Sequence, residues 1–77
     1  MTTTTEIVNR GIRILLIDKG MSLKTLREGV GLKPNYFSTH INGHRPWSLA
    51  DLDGIAKIFG LDGATQLLQT AEQKLAA

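Results

Sequence analysis

Residues 22–43 read Ser22-Leu-Lys-Thr-Leu-Arg-Glu-Gly-Val-Gly31-Leu-Lys-Pro34-Asn-Tyr-Phe-Ser-Thr-His-Ile-Asn-Gly43. Ser22 is a good helix N-cap, because its side-chain oxygen accepts a backbone N–H that the first turn leaves free. Leu23, Leu26 and Val30 follow at spacings of three and four, which marks one apolar face of a short helix. Gly29-Val30-Gly31-Leu32 reads as a tight turn. Pro34 suits the first position of a second helix, where its missing N–H costs nothing. Phe37 and Ile41, four apart, form the buried side of that helix, and Asn42-Gly43 ends it.

Two short helices joined by a glycine turn have the spacing of a helix-turn-helix. The second helix of such a unit fits a groove about 12 Å wide, the major groove of duplex DNA. Its outward positions are Lys33, Asn35, Tyr36, Thr39 and, less openly, His40. These are hydrogen-bonding and aromatic groups, not the Glu/Lys mixture of an ordinary wetted face. Asn pairs bidentately with adenine, and Thr offers a methyl to thymine.

Working outward, the same periodicity predicts helices on both sides. Val8, Ile12, Leu15 and Leu16, widened by Ile7, Gly11 and Ile14, define a first helix over residues 6–19. Ser48 caps a fourth, with Asp51 three residues on, and its inner stripe is Leu49, Leu52, Ile55, Ala56 and Phe59, with Ile58 beside it. A fifth spans residues 63–76, with Ala64, Leu67, Leu68, Ala71 and Leu75 on one face. Few stretches alternate with period two, so no sheet is expected. The fold class is all-α, a bundle of about five short helices. Residues 1–5 read as a flexible tail, 6–62 as the helix-turn-helix domain, and 63–77 as a C-terminal helix. That last helix covers the core, and Leu67, Ala71 and Leu75 are a candidate dimer seam.

Composition narrows the function. The chain has 77 residues, enough for one small domain without a cleft between domains. It contains no cysteine, which excludes disulfides, Cys-ligated zinc and a Cys nucleophile. The longest apolar run, Ile14-Leu15-Leu16-Ile17, is far below the roughly 20 residues of a membrane helix. The first residues lack the basic and apolar regions of a secretory leader, so a cytoplasmic setting is expected. Residues 1–45 carry seven Lys/Arg against three acids, a balance of +4, and residues 46–77 carry two against four, a balance of −2. A basic front of this kind suits a polyanion.

The pattern Gly20 to Leu32, then Tyr36 to Gly43, then Pro46 to Leu61 resembles the lambda repressor/Cro-like helix-turn-helix family. The shared marks are Gly31, Phe37-Ser38, Asn42-Gly43, Pro46, and Leu52-x-x-Ile55-Ala56-x-x-Phe59-Gly60-Leu61. The resemblance covers residues 6–62 and implies a bundle of about five helices that binds operator DNA, usually as a two-fold dimer. Its base-reading positions fall on Pro34, Asn35 and Thr39. Pro34 has no side-chain donor, so Asn35 and Thr39 stand out, with Lys33 and Tyr36 as neighbours. Its phosphate positions fall on Ser22, Leu23 and Lys24, where Leu23 offers only a backbone N–H, and on Asn42, His44 and Arg45. The expected role is a transcriptional regulator of the repressor type, as in phage immunity, in a bacterial or phage-infected cell.

Two residues depart from the family pattern. Arg27 stands where a small residue is usual, so either the two helices sit apart or Arg27 lies outward along its methylenes. His40 stands where an apolar residue is usual and reads as a partly buried substitute.

Other features weigh against chemistry. Asp51 and Asp53, two apart on a helix, point to different sides and make no acid/base pair. Ser38 and His40 fail as a dyad for the same reason, and no phosphate-cradling loop is present. His40 and His44 lack a third ligand at metal spacing. No enzyme, cofactor, metal or small-molecule ligand is expected. Tyr36 has two readings, base or phosphate contact and packing on its own helix. Trp47 likewise reads as a core lid or as a partner contact. The competing functional reading is a protein-interaction module of the antitoxin type, with DNA binding secondary.

Overall fold

The structure is a computed structural model that describes residues 3–76. Five helices follow one another: α1 (Thr4–Lys19), α2 (Leu23–Val30), α3 (Pro34–Ile41), α4 (Leu49–Ile58) and α5 (Ala64–Ala76). There is no strand among the described residues. Helix α1 starts two residues earlier than the periodicity predicts, because Thr3 is the cap and its Oγ1 accepts the Glu6 N–H at 3.2 Å. Thr4 and Thr5 of the predicted tail are therefore helical, while Met1 and Thr2 lie outside the described residues. Ser22 and Ser48 cap α2 and α4 as the sequence indicates, accepting the N–H of Thr25 and of Asp51.

One core unites all five helices. Val8, Ile12, Leu15 and Leu16 of α1 meet Leu26 of α2, Phe37 and Ile41 of α3, Ile55 and Ala56 of α4, and Leu67 of α5. Helix α5 lies mainly against α1 and also against α4. Its start is secured from outside: the Ala64 N–H donates to Asp53 Oδ1 at 2.6 Å. An Asp18–Lys74 ion pair ties its far end to α1. The C-terminal helix is thus part of the same core as residues 6–62.

This packing corrects two expectations. Leu67 and Ala71 are both 0% exposed within the single chain, so neither is available as a dimer seam. Of that triad only Leu75 reaches the surface. The periodicity that marks a seam also marks a helix face sealed against its own domain, and here the latter holds. Leu49, expected in the inner stripe of α4, is 75% exposed. It is the first residue of the helix, where the stripe runs past the edge of the core.

Helices α1 and α5 approach most closely at Gly11. A Cβ placed there would stand 2.3 Å from the Ala71 Cβ and 2.7 Å from its Cα. Gly11→Ala is therefore expected to destabilise by about 1–3 kcal/mol through overpacking. In an open helix the same change helps by about 1 kcal/mol. A thermal melt checks the sign, and adding Ala71→Gly should recover part of the loss.

Candidate nucleic-acid interface

The turn between α2 and α3 is built from local chemistry. Gly31 takes φ +83°, a left-handed conformation open to glycine at little cost. The Gly31 and Leu32 N–H groups both donate to the Arg27 carbonyl, at 2.9 and 3.2 Å. Arg27 then reaches over the turn, and its Nη1 donates to the Leu32 carbonyl at 3.3 Å. A surface groove of about 290 Å³ separates the two helices, lined by Lys24, Arg27, Pro34 and Ser38 over a floor that includes Phe37. The half-buried Arg27 borders this groove with its guanidinium turned onto the turn rather than outward.

Helix α3 presents two unlike sides. Phe37, His40 and Ile41 are buried, while Pro34, Asn35, Tyr36 and Ser38 are exposed, as is Lys33 just before the helix. The Asn35 amide has no hydrogen-bond partner among the described residues, so its donor and acceptor remain free on the surface. Thr39 is half-buried, and its hydroxyl donates to the Asn35 carbonyl at 2.9 Å. Its hydroxyl hydrogen is thereby used within the helix, leaving its oxygen as an acceptor and its methyl for apolar contact.

Tyr36 is arranged differently. Its ring stacks on His40 with centroids 4.0 Å apart, and its hydroxyl donates to Asp51 Oδ2. That hydrogen bond is the main reason the phenol titrates above its ordinary value. The ring thus packs on its own helix, while the hydroxyl is tied across to α4, and the residue remains 40% exposed.

The exit of α3 is held by a polar relay that the sequence did not disclose. His40 is 7% exposed, and its Nδ1 lies 2.7 Å from the Tyr36 carbonyl. Trp47 is buried against His40 and Phe37, as a core lid. Its Nε1 donates to Asn9 Oδ1 at 2.7 Å, and Asn9 Nδ2 donates to the His40 carbonyl at 3.1 Å. A buried Asn on an otherwise apolar helix face is the signal that would have pointed to this relay.

Polar and cationic groups flank α3 on both sides. Arg45 shares a shallow hollow of about 380 Å³ with Asn35, Tyr36, Thr39 and His40. On the other side, Asn42 Oδ1 accepts from Arg13 Nη2 at 3.4 Å, and Asn42 Nδ2 donates to Ser38 Oγ at 3.2 Å. Arg10 and Arg13 of α1 line the adjoining hollow with Asn42 and Gly43. Sequence reading left these two arginines out of the site, although both lie off the apolar face of α1. His44 is exposed in the loop. Ser22, proposed for phosphate, has its oxygen engaged in the α2 cap and in a 2.9 Å bond with Thr25 Oγ1. The only ion pair among the described residues is Asp18–Lys74, so Lys24, Lys33 and Arg45 have no carboxylate partner.

A Cro/C1-type HTH DNA-binding domain matches residues 11–71. The chain belongs to this family. The match runs from the middle of α1 into α5, which agrees with the shared core described above. Among solved structures, this Cro/C1-type domain is similar to the clp gene regulator ClgR from Corynebacterium glutamicum, with a TM-score of 0.78 and 24% identity. The similarity covers 97% of this chain and 79% of that one. At that identity the likeness speaks for the fold. No curated protein matches the sequence. No helix among the described residues is long and apolar enough to cross a membrane.

Proposed function

We propose that this Cro/C1-type domain is a sequence-specific duplex DNA-binding transcriptional regulator that acts as a repressor by occupying its operator. The observation that carries this reading is the free face of α3. Asn35 stands unbonded there with the half-buried Thr39 one turn on, and Arg45 and Lys24 lie on opposite flanks without acidic partners. In this reading Asn35 and Thr39 read bases, with Lys33 and the Tyr36 ring beside them. Lys24, Asn42, His44, Arg45 and the backbone at Ser22 and Leu23 hold phosphates and set the register. Two copies on a two-fold operator place their α3 helices about 34 Å apart, one turn of DNA. Leu75 is the member of the seam triad left for contact between them. The setting is the cytoplasm of a bacterial or phage-infected cell, in the manner of a phage immunity repressor.

Selection of bound duplexes from a random pool tests the reading, with a recovered palindrome as the expected result. Three to five phosphate contacts per subunit give a log K against log salt slope of roughly −3 to −5. Asn35→Ala is expected to cost about 1–3 kcal/mol on the selected site and little on random DNA. Lys33→Ala should weaken both and flatten the slope by about one unit. Equal losses on both duplexes would remove Asn35 from the reading set. Exposed Ile17 and Leu49 favour the second reading, a protein-interaction module of the antitoxin type. A flat salt slope, or no duplex binding at low salt, decides for it.

A further inference from the structure

Asp51 belongs to α4, yet its side chain serves α3. Its backbone N–H donates to the Ser48 Oγ cap at 3.1 Å, and among the described residues its carboxylate makes no return bond to the Ser48 N–H. That carboxylate instead accepts the Tyr36 hydroxyl. Tyr36 sits between Asn35 and Phe37 on the exposed side of α3, and its ring is fixed by stacking on His40. The hollow that holds the Tyr36 ring also holds Arg45 and Thr39. Asp51 therefore brings a negative charge to the Tyr36 hydroxyl, whose ring shares its hollow with the unpaired Arg45.

Two physical consequences follow. A phenol has one O–H, and a hydroxyl donated to Asp51 is not available to a phosphate oxygen. A carboxylate beside a path of phosphates also repels them, most strongly at low salt. Both effects oppose binding of any duplex, whatever its bases.

We propose that Asp51 restrains the affinity of this face for duplex DNA, by holding the Tyr36 hydroxyl away from phosphate and by setting a negative charge beside α3. The inference rests on the duplex-binding reading above and adds a tuning residue to it. Asp51 acts on the backbone contacts and leaves base choice to Asn35 and Thr39.

The test measures the binding of one labelled random-sequence duplex over a salt series. It compares the full chain with Asp51→Asn, Asp51→Ala, Tyr36→Phe and the Asp51→Ala/Tyr36→Phe double variant, each checked by thermal melt. Asp51→Ala is expected to tighten binding about three- to tenfold and to steepen the salt slope by about one unit. Asp51→Asn, which removes the charge and keeps an acceptor for Tyr36, should steepen the slope equally with a smaller gain. In the Asp51→Ala background Tyr36→Phe should take back part of the gain. Unchanged or weakened binding in both Asp51 variants, with the wild-type melting temperature, overturns the inference. So does a fivefold or larger loss in Tyr36→Phe alone, since the phenol would then already serve the duplex. Wild-type binding with its expected salt slope keeps the duplex reading standing in either case. Absence of wild-type binding at low salt overturns both.

Discussion

Leu67→Asp is expected to unfold the protein. Leu67 is 0% exposed on α5, in the cluster that joins it to α1 and α4. Truncation of such a leucine to alanine costs about 2–5 kcal/mol. Aspartate adds the cost of placing a carboxylate in an apolar interior, several kcal/mol more unless it protonates. A chain of this size has about 4–12 kcal/mol of stability to lose. Circular dichroism should show the helical signal collapse, and Leu67→Ala should retain it with a lowered melting temperature. A soluble variant of full helicity and halved mass would mean that the residue faces a second copy, contrary to its burial.

The same residue shows what a single sequence discloses and what it withholds. Helix α3 could be placed at residues 34–41 because its limits are set locally, by Pro34 at one end and Asn42-Gly43 at the other. Helices α2 and α4 were equally legible, since Ser22 and Ser48 cap them with their own side chains. Which partner covers an apolar face is a different matter. The spacing of Leu67, Ala71 and Leu75 shows that the face exists, but its covering is α1, with Gly11 set against Ala71 from 60 residues upstream. Leu49 fails in the opposite sense, because a periodic stripe carries no mark of where the core ends.

The site divides along the same line. The open side of α3 was readable from Phe37 and Ile41, which fix the buried side and so expose Asn35 and Tyr36. The fate of the Tyr36 hydroxyl was not, because Asp51 is 15 residues away and reaches it only through the packing of α4. Arg13 joins Asn42 across 29 residues for the same reason. Arg27 was recognisable as out of pattern, and only the fold shows that its guanidinium bonds the Leu32 carbonyl across the turn.

The long-range link of greatest consequence is Asn9. Asn9→Leu keeps much of the side-chain volume and removes both of its hydrogen bonds. The His40 carbonyl retains the Gly43 N–H at 3.1 Å, so it stays paired. The Trp47 Nε1–H has Asn9 as its acceptor and is left buried without one. The lost bond to the His40 carbonyl and the orphaned indole N–H together cost about 3 kcal/mol. The melting temperature should fall by about 12–24 °C, at about 4–8 °C per kcal/mol in a domain of this size. Trp47 is the single tryptophan, so its fluorescence should report the loosened lid directly. Because the relay anchors the last turn of α3, duplex affinity should fall in Asn9→Leu at temperatures where the helices remain folded. Trp47→Phe removes the indole N–H and separates this cause from simple misfit. In that background Asn9→Leu should cost clearly less, and an undiminished penalty would show that the bond to Trp47 is not what makes Asn9 matter.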